Sequence, residues 1–340
     1  MKKLFIGALA LSLGFGLFAC SNKTTTKKTT TTKGDATSCF TTSKTTKNTT
    51  TAATTKEKEN VKILTPAGTP LMAIGGLIGS DGVTIESVNG PELIKTEIVK
   101  DDYDMIIAPL TMGATLSIAE KTTYQLDTVL TTNNTYIISK GTTTLTNISD
   151  LVGKKLIAYG QNNTADIALK NALIKNEIDI NDIDITYEAD VATATSTFMS
   201  GSDFDYCLTA EPQITNLKVK KGANLNTLDL SKYMSSTVYQ AGIFVNPKAN
   251  QTRCDEVINE IKENVDYLNE NPSEYASKVV DKNAFFTNLG VEALTACIPN
   301  ANLVFIKAKE NKTLINAYFE ELNAANPNIL KGMVTDEFYR

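Results

Sequence analysis

The chain has 340 residues, with 33 lysines and arginines against 38 aspartates and glutamates, for a net charge of -5. That balance, without basic clusters in the part patterned for folding, argues against nucleic acid as a partner. Histidine is absent and arginine occurs only as Arg253 and Arg340, which excludes Ser/His and Cys/His nucleophiles and His-ligated zinc and leaves little scope for a bidentate arginine clamp on an anion.

Met1-Lys2-Lys3 is a short basic start, and Leu4 to Ala19 is an uncharged apolar run. It is too short for a comfortable membrane span and has the form of a signal peptide over residues 1–19. It ends in Leu17-Phe18-Ala19-Cys20, which resembles a bacterial lipobox, with Cys20 as the lipidated mature N-terminus. Phe18 departs from the small residue usual at that position, and an ordinary signal peptide with an incidental cysteine is the alternative. Two or more acyl chains on Cys20 would anchor the protein to a membrane, where one would not. Residues 20–58 are rich in threonine and lysine and poor in apolar residues. Such a stretch buries too little surface to offset the entropy of ordering, so it is expected to be a disordered tether.

Folding is expected from Val61. Val61 to Leu64 reads as a strand, Leu71 to Ile78 as a helix, Val83 to Val88 as an alternating strand and Pro91 to Val99 as a helix. Strands follow at Asp104 to Ala108, Leu126 to Leu130 and Thr135 to Ser139. A first crossing between lobes is expected near Asn133 to Lys140. A second lobe then opens at Asn147, with a helix over Asn163 to Ile178, a strand over Ile183 to Tyr187, a helix over Asp190 to Met199 and a strand over Phe204 to Thr209. Ala241 to Val245 is a strand that returns the chain to the first lobe. The remainder reads as helical, over Cys254 to Leu268, Pro272 to Val280, Glu292 to Ile298 and Thr313 to Asn323. The alternation of strand and helix indicates βαβ units and an α/β fold with parallel-rich sheets. The boundaries drawn are 61–135 plus 246–340 for the first lobe and 136–245 for the second.

One pattern recurs twice in each half: an apolar strand, a small polar loop, then a helix. The four loops centre on Gly68-Thr69-Pro70, Pro109-Leu110-Thr111, Gln161-Asn162-Asn163-Thr164 and Glu211-Pro212. The second of each half follows an aspartate, Asp104 or Asp205, and an apolar strand. Loops at the carboxyl ends of parallel strands are where open α/β sheets bind ligands. Helix starts there can hold an anion without a basic side chain. Thr69 before Pro70 reads as an N-cap, and Thr111 and Thr164 as further cap candidates. Taken singly, each loop is also an ordinary α/β turn.

No two of Cys20, Cys39, Cys207, Cys254 and Cys297 have C-x-x-C spacing, so no metal site is suggested. Cys207 reads as a buried core residue, and whether Cys254 and Cys297 pair is left open by spacing alone.

Ala67-Gly68-Thr69-Pro70, Tyr103-Asp104 through Ala108-Pro109, Ile148-Ser149-Asp150-Leu151-Val152-Gly153-Lys154-Lys155 and the stretch from Gly201 through Asp205 to Ala210-Glu211-Pro212 carry a resemblance. In order and spacing they resemble the solute-binding lipoproteins of ABC importers, of the nitrate/sulfonate/taurine type and their relatives that bind the pyrimidine precursor of thiamine. The resemblance implies a type II periplasmic-binding-protein fold, two lobes with a ligand cleft between them, closing about a hinge. It implies no catalysis, no cofactor and a monomer. The partners implied are a small solute (a sulfonate, a nitrate-like anion, the thiamine pyrimidine precursor or another small polar compound) and an ABC permease. The location implied is the outer face of the cytoplasmic membrane. Ligand-facing positions would be Gly68, Thr69, Pro70, Leu110, Thr111, Asn134, Gln161, Asn162, Asn163, Thr164 and Glu211, with Glu211 either receiving a cationic or amide group or pairing with a lysine. Two rivals are weaker. A thiamine-pyrimidine-synthase-like enzyme would need the histidine and clustered cysteines that are missing. A surface lipoprotein binding a host or matrix macromolecule suits the tether but does not call for a polar cleft.

Overall fold

The computed structural model describes residues 58–162, 164–201 and 203–340. The signal peptide, Cys20 and nearly all of the tether lie outside them, as does Asn163. In chain order the elements are β1 (Val61–Pro66), α1 (Thr69–Ile74), β2 (Val83–Val88), α2 (Pro91–Lys100), β3 (Met105–Pro109), α3 (Leu110–Ile118), β4 (Gln125–Thr132) and β5 (Tyr136–Lys140). Then come β6 (Lys155–Tyr159), α4 (Thr164–Lys175), β7 (Asp184–Glu188), α5 (Val191–Met199), β8 (Tyr206–Thr209), α6 (Gln213–Lys221), β9 (Leu225–Asp229) and β10 (Tyr239–Val245). The chain finishes with α7 (Gln251–Glu270), α8 (Pro272–Val279), α9 (Ala284–Cys297), β11 (Leu303–Lys307) and α10 (Lys312–Ala325).

Two mixed sheets result. The first has the order β11-β4-β10-β3-β1-β2 and the second β7-β6-β8-β5-β9. In each, three parallel strands (β2-β1-β3 and β7-β6-β8) are followed by an antiparallel strand, β10 or β5, contributed by a segment that crosses between lobes. Both sheets are covered on both faces. In β3, Met105 and Ile107 join one core while Ile106 and Ala108 join another. In β8, Tyr206 and Leu208 face one core and Cys207 the other. That is the two-residue period of a strand buried on both sides, and it explains why these strands read as unbroken apolar runs.

The aspartates before β3 and β8 fasten the parallel strands. Asp104 N–H donates to Lys62 O (3.0 Å), and its carboxylate accepts from Lys62 N–H (2.8 Å). Asp205 N–H donates to Lys155 O (2.9 Å), and its carboxylate accepts from Lys155 N–H (3.0 Å). The repeated phrase is thus a register lock at the strand start, one in each lobe.

The chain crosses between sheets at residues 133–135 and returns over residues 230–238. β10 pairs with β3 and β4 of the first sheet, so residues 239–245, drawn above within the second lobe, belong to the first. Two strands escaped the sequence reading. β9 is an edge strand at Leu225–Asp229, and β11 lies within the part read as wholly helical, pairing with β4. Within α9 Gly290 (φ 73°) breaks the helical geometry, so the helix expected from Glu292 is the second half of this element, and the first half, from Ala284, was not foreseen. Cys207, Cys254 and Cys297 are buried free thiols, so Cys254 and Cys297 do not pair.

Candidate functional site

The carboxyl ends of β1, β3, β6 and β8 converge on one cavity of about 670 Å³ lined by both lobes. β1 ends in Pro66, and the chain turns through Gly68, whose φ of 126° favours glycine, into α1. Gly68 is the N-cap: its carbonyl accepts the first helical bond, from Met72 N–H (3.1 Å). Thr69 is therefore not the cap expected from sequence but the first helical residue, buried and turned toward Asn134. Gly68, Thr69 and Pro70 all line the cavity.

Asn134, in the outgoing crossing, is the most connected residue of the site. Its side chain accepts from Glu211 N–H (2.8 Å) and donates to Glu211 O (3.1 Å) and Thr69 Oγ1 (3.4 Å). Its backbone pairs with Gln240 of the returning strand: Asn134 N–H donates to Gln240 Oε1 (2.7 Å), and Gln240 Nε2 donates to Asn134 O (3.0 Å). One level away, Val238 N–H donates to Asn133 Oδ1 (2.9 Å) and Asn133 N–H donates to Val238 O (3.0 Å). These bonds bind the two crossings to each other and to both lobes.

Glu211 is buried at the end of β8. Its carboxylate accepts from Thr215 N–H (3.0 Å) and Thr215 Oγ1 (2.9 Å), in the first turn of α6. Burial raises its pKa, against the lowering effect of those bonds, of Lys218 and of the Cys297 thiol from α9. The reading of Glu211 as partner to a lysine finds only this electrostatic influence, since Lys218 Nζ donates to Thr227 Oγ1 (3.1 Å). Across the cleft, Thr111 of α3 and Thr164 at the start of α4 share a hydrogen bond of 3.0 Å, both side chains buried. Neither is a cap; the two join the lobes.

Three expected positions fall elsewhere. Leu110 is wholly buried in the first lobe's core, where a Cβ on Gly242 would come within 3.1 Å of its Cδ1. Gln161 and Asn162 are exposed in the turn before α4, with Asn162 at φ 64° and its N–H donated to Asp166 Oδ2 (2.7 Å). The local pattern of polar loop residues is the same whether the loop faces ligand or solvent, so sequence did not separate them. Conversely, Tyr159, Asp190, Thr193, Gln240 and Phe285 line the cavity and were not foreseen as such. Asp190 and Tyr159 carried a usable signal, since both stand at the carboxyl end of a strand or just before a helix. Among the described residues no group of His, Cys, Asp and Glu side chains is arranged to hold a metal, and no helix is long and apolar enough to cross a membrane.

Two sheets that share three parallel strands followed by an antiparallel one, joined by paired crossings with a cavity at their strand ends, define a two-lobed periplasmic-binding-protein-type fold. The chain belongs to the NMT1/THI5-like family, whose model matches residues 83–275, more than half of it. Among solved structures it resembles an ABC transporter protein of Parabacteroides distasonis, with TM-score 0.68 and 15% identity over 83% of this chain and 99% of that one. The periplasmic aliphatic sulphonate binding protein SsuA of Escherichia coli gives TM-score 0.65 and 12% identity, over 81% and 90% of the two chains. The desulfurization enzyme DSZB gives 0.55 and 9%, over 83% and 96%. At such identities the likeness is one of fold. No curated protein matches the sequence significantly.

Proposed function

We propose that the protein is the solute receptor of an ABC importer, an extracytoplasmic lipoprotein anchored through Cys20 that captures a small polar solute between its lobes and delivers it to a membrane permease. The observation that carries this reading is the cavity of about 670 Å³ lined by both lobes, which the Thr111–Thr164 bond joins to each other. Its size suits a small organic molecule. Gly68, Thr69, Pro70, Asn134, Thr164 and Glu211 would contact the solute, with Tyr159, Asp190 and Gln240 beside them. Thr111 would contribute to closure, and a ligand that favours the closed arrangement would do so only by its greater affinity for it. The lipobox-like Leu17-Phe18-Ala19-Cys20 supports export and anchoring.

An enzymatic role has the shared fold of DSZB in its favour. Against it, the acid groups that line the cavity, Asp190 and Glu211, already accept hydrogen bonds from Thr193 and Thr215, and the sequence has no histidine.

The test is a thermal-shift and calorimetric screen of the purified chain against small metabolites. A solute at a hundred times its Kd stabilises the folded state by about 2.7 kcal/mol, and replacing Asn134 or Glu211 should abolish the effect. Solutes converted to product by the protein during the assay would favour the enzyme.

A further inference from the structure

The second lobe uses its helix starts in a way that bears on the ligand's charge, given the reading of the cavity as a solute site. Each of its three α-helices carries a carboxylate at its start. Asp166 Oδ2 accepts from Asn162 N–H (2.7 Å) before α4, Asp190 Oδ1 from Thr193 N–H (2.8 Å) in α5, and Glu211 Oε2 from Thr215 N–H (3.0 Å) in α6. A helix start draws anions because its first N–H groups are unpaired and carry the positive end of the dipole. Here the protein's own carboxylates occupy that role, and two of them, Asp190 and Glu211, line the cavity. On the first-lobe side, Pro70 in the first turn of α1 has no N–H to offer.

No lysine or arginine lines the cavity among the described residues. Lys218, whose charge bears on Glu211, donates to Thr227, and Lys170 pairs with Asp166 (2.6 Å). An anionic solute would therefore enter a site with two carboxylates and no lysine or arginine in its lining, with Glu211 buried and Asp190 partly so. What the cavity offers instead is acceptors. The oxygens of Asp190 and Glu211 keep lone pairs beyond those already used, and the Tyr159 hydroxyl, half-buried at the end of β6, has no hydrogen-bond partner among the described residues.

We propose that the cavity selects a neutral or cationic solute that is rich in N–H donors and has no acid group, such as a primary amine, a guanidine or an amino-substituted heterocycle, with Glu211 and Asp190 receiving its N–H groups and Tyr159 fixing its orientation. Sulfonates, nitrate and carboxylates are excluded by the same two carboxylates.

The experiment divides a metabolite library into compounds bearing a sulfonate, phosphate, nitrate or carboxylate group, zwitterions included, and compounds with at least one N–H donor and no acid group. Both halves are screened against the full chain by thermal shift at fixed ionic strength and pH 7, and hits are measured by calorimetry. Hits confined to the donor half are expected, and Glu211→Gln should weaken the best of them at least tenfold. Tyr159→Phe, which keeps the ring, should weaken it severalfold with the ligand-free melting temperature unchanged. Hits confined to the acid half overturn the charge assignment but leave the receptor reading standing. An absence of hits in both halves overturns the receptor reading, and the charge assignment with it. A donor-half hit that binds E211Q and Asp190→Asn as tightly as the parent overturns the roles given to the two acids.

Discussion

Thr111 and Thr164 share a hydrogen bond of 3.0 Å from opposite lobes, with both hydroxyls shut away from solvent. A bond between groups that separate when the lobes part favours the closed arrangement alone. A neutral hydrogen bond contributes about 0.5–1.5 kcal/mol net. The double variant Thr111→Val with Thr164→Val removes both partners at once, so that no hydroxyl is left unpaired. It is expected to weaken solute binding roughly two- to tenfold and to increase the radius of gyration in small-angle scattering of the ligand-free protein. Unchanged affinity and radius would show that the bond does not govern closure.

Asn134 satisfies both backbone groups of buried Glu211. Asn134→Ala leaves that N–H and carbonyl without partners, and a buried unsatisfied group costs about 1–3 kcal/mol. Urea denaturation is expected to report a loss of at least that size. Gln240→Ala, which removes the pairing between the crossings at a half-buried position, is expected to cost less.

The two register locks should behave alike. Asp104→Ala and Asp205→Ala each remove a carboxylate that accepts a backbone N–H of the neighbouring parallel strand. Each is expected to cost about 1–2 kcal/mol of stability without altering solute affinity, since neither aspartate lines the cavity. Loss of affinity without loss of stability would assign them to the site instead.

Two buried carboxyls predict opposite pH behaviour. Burial raises the Glu211 pKa in spite of Thr215, Lys218 and Cys297, so the folded chain holds that proton more readily than the unfolded chain. Its contribution to stability therefore declines as pH rises from about 4.5 through the folded pKa. Burial also works against the Asp127 charge, but Lys307 (2.8 Å), Thr128 and Arg340 (2.9 Å) outweigh it and bring its pKa below 3.8. The Asp127 contribution is complete above that value and is lost as pH falls through the folded pKa. In denaturation measured from pH 2 to 8, E211Q should flatten the decline above pH 4.5 and Asp127→Asn should flatten the acid limb.

The three thiols of the described body are free and buried. Burial pushes Cys207 up to about 12 and Cys254 up to about 11, and burial and Glu211 beside it raise Cys297 well above the usual thiol value. Thiolate is the reactive form. In a variant with Cys20 and Cys39 changed to serine, a thiol reagent at pH 8 is expected to modify none of the three in the native protein and all three in urea. Fewer than three in urea would indicate a disulfide.

Most of the fold was legible because its signals are local. Apolar runs between polar loops gave β1, β3, β6, β8 and β10, and helical spacing gave α7 over Val257, Ile258, Ile261, Val265 and Leu268, all buried. β9 and β11 were missed for a physical reason. Edge strands bury little: β9 has only Leu225 and Leu228 as apolar residues, so no run marks it, whereas the run Leu303 to Ile306 that forms β11 lies between helices and was absorbed into the part read as helical. The N-cap of α1 was misplaced by one residue because Gly68 can adopt a conformation that Thr69 could not.

The sequence by itself determined the α/β class, the doubled strand-loop-helix plan and the loops from which a cleft could be built, since each depends on residues close together in the chain. Which of those loop residues face the cleft was decided only in three dimensions. Leu110, one residue from Thr111, turns into the core, Gln161 and Asn162 turn to solvent, and Thr164 turns to meet its counterpart in the other lobe. The joining of Asn134 to Glu211, 77 residues away, and to Gln240, 106 residues away, likewise follows from the crossing of two segments between the sheets. Direction and long-range pairing are properties of the packed lobes, because a side chain's neighbours across a cleft are fixed by where the second sheet sits and not by the residues beside it in the chain.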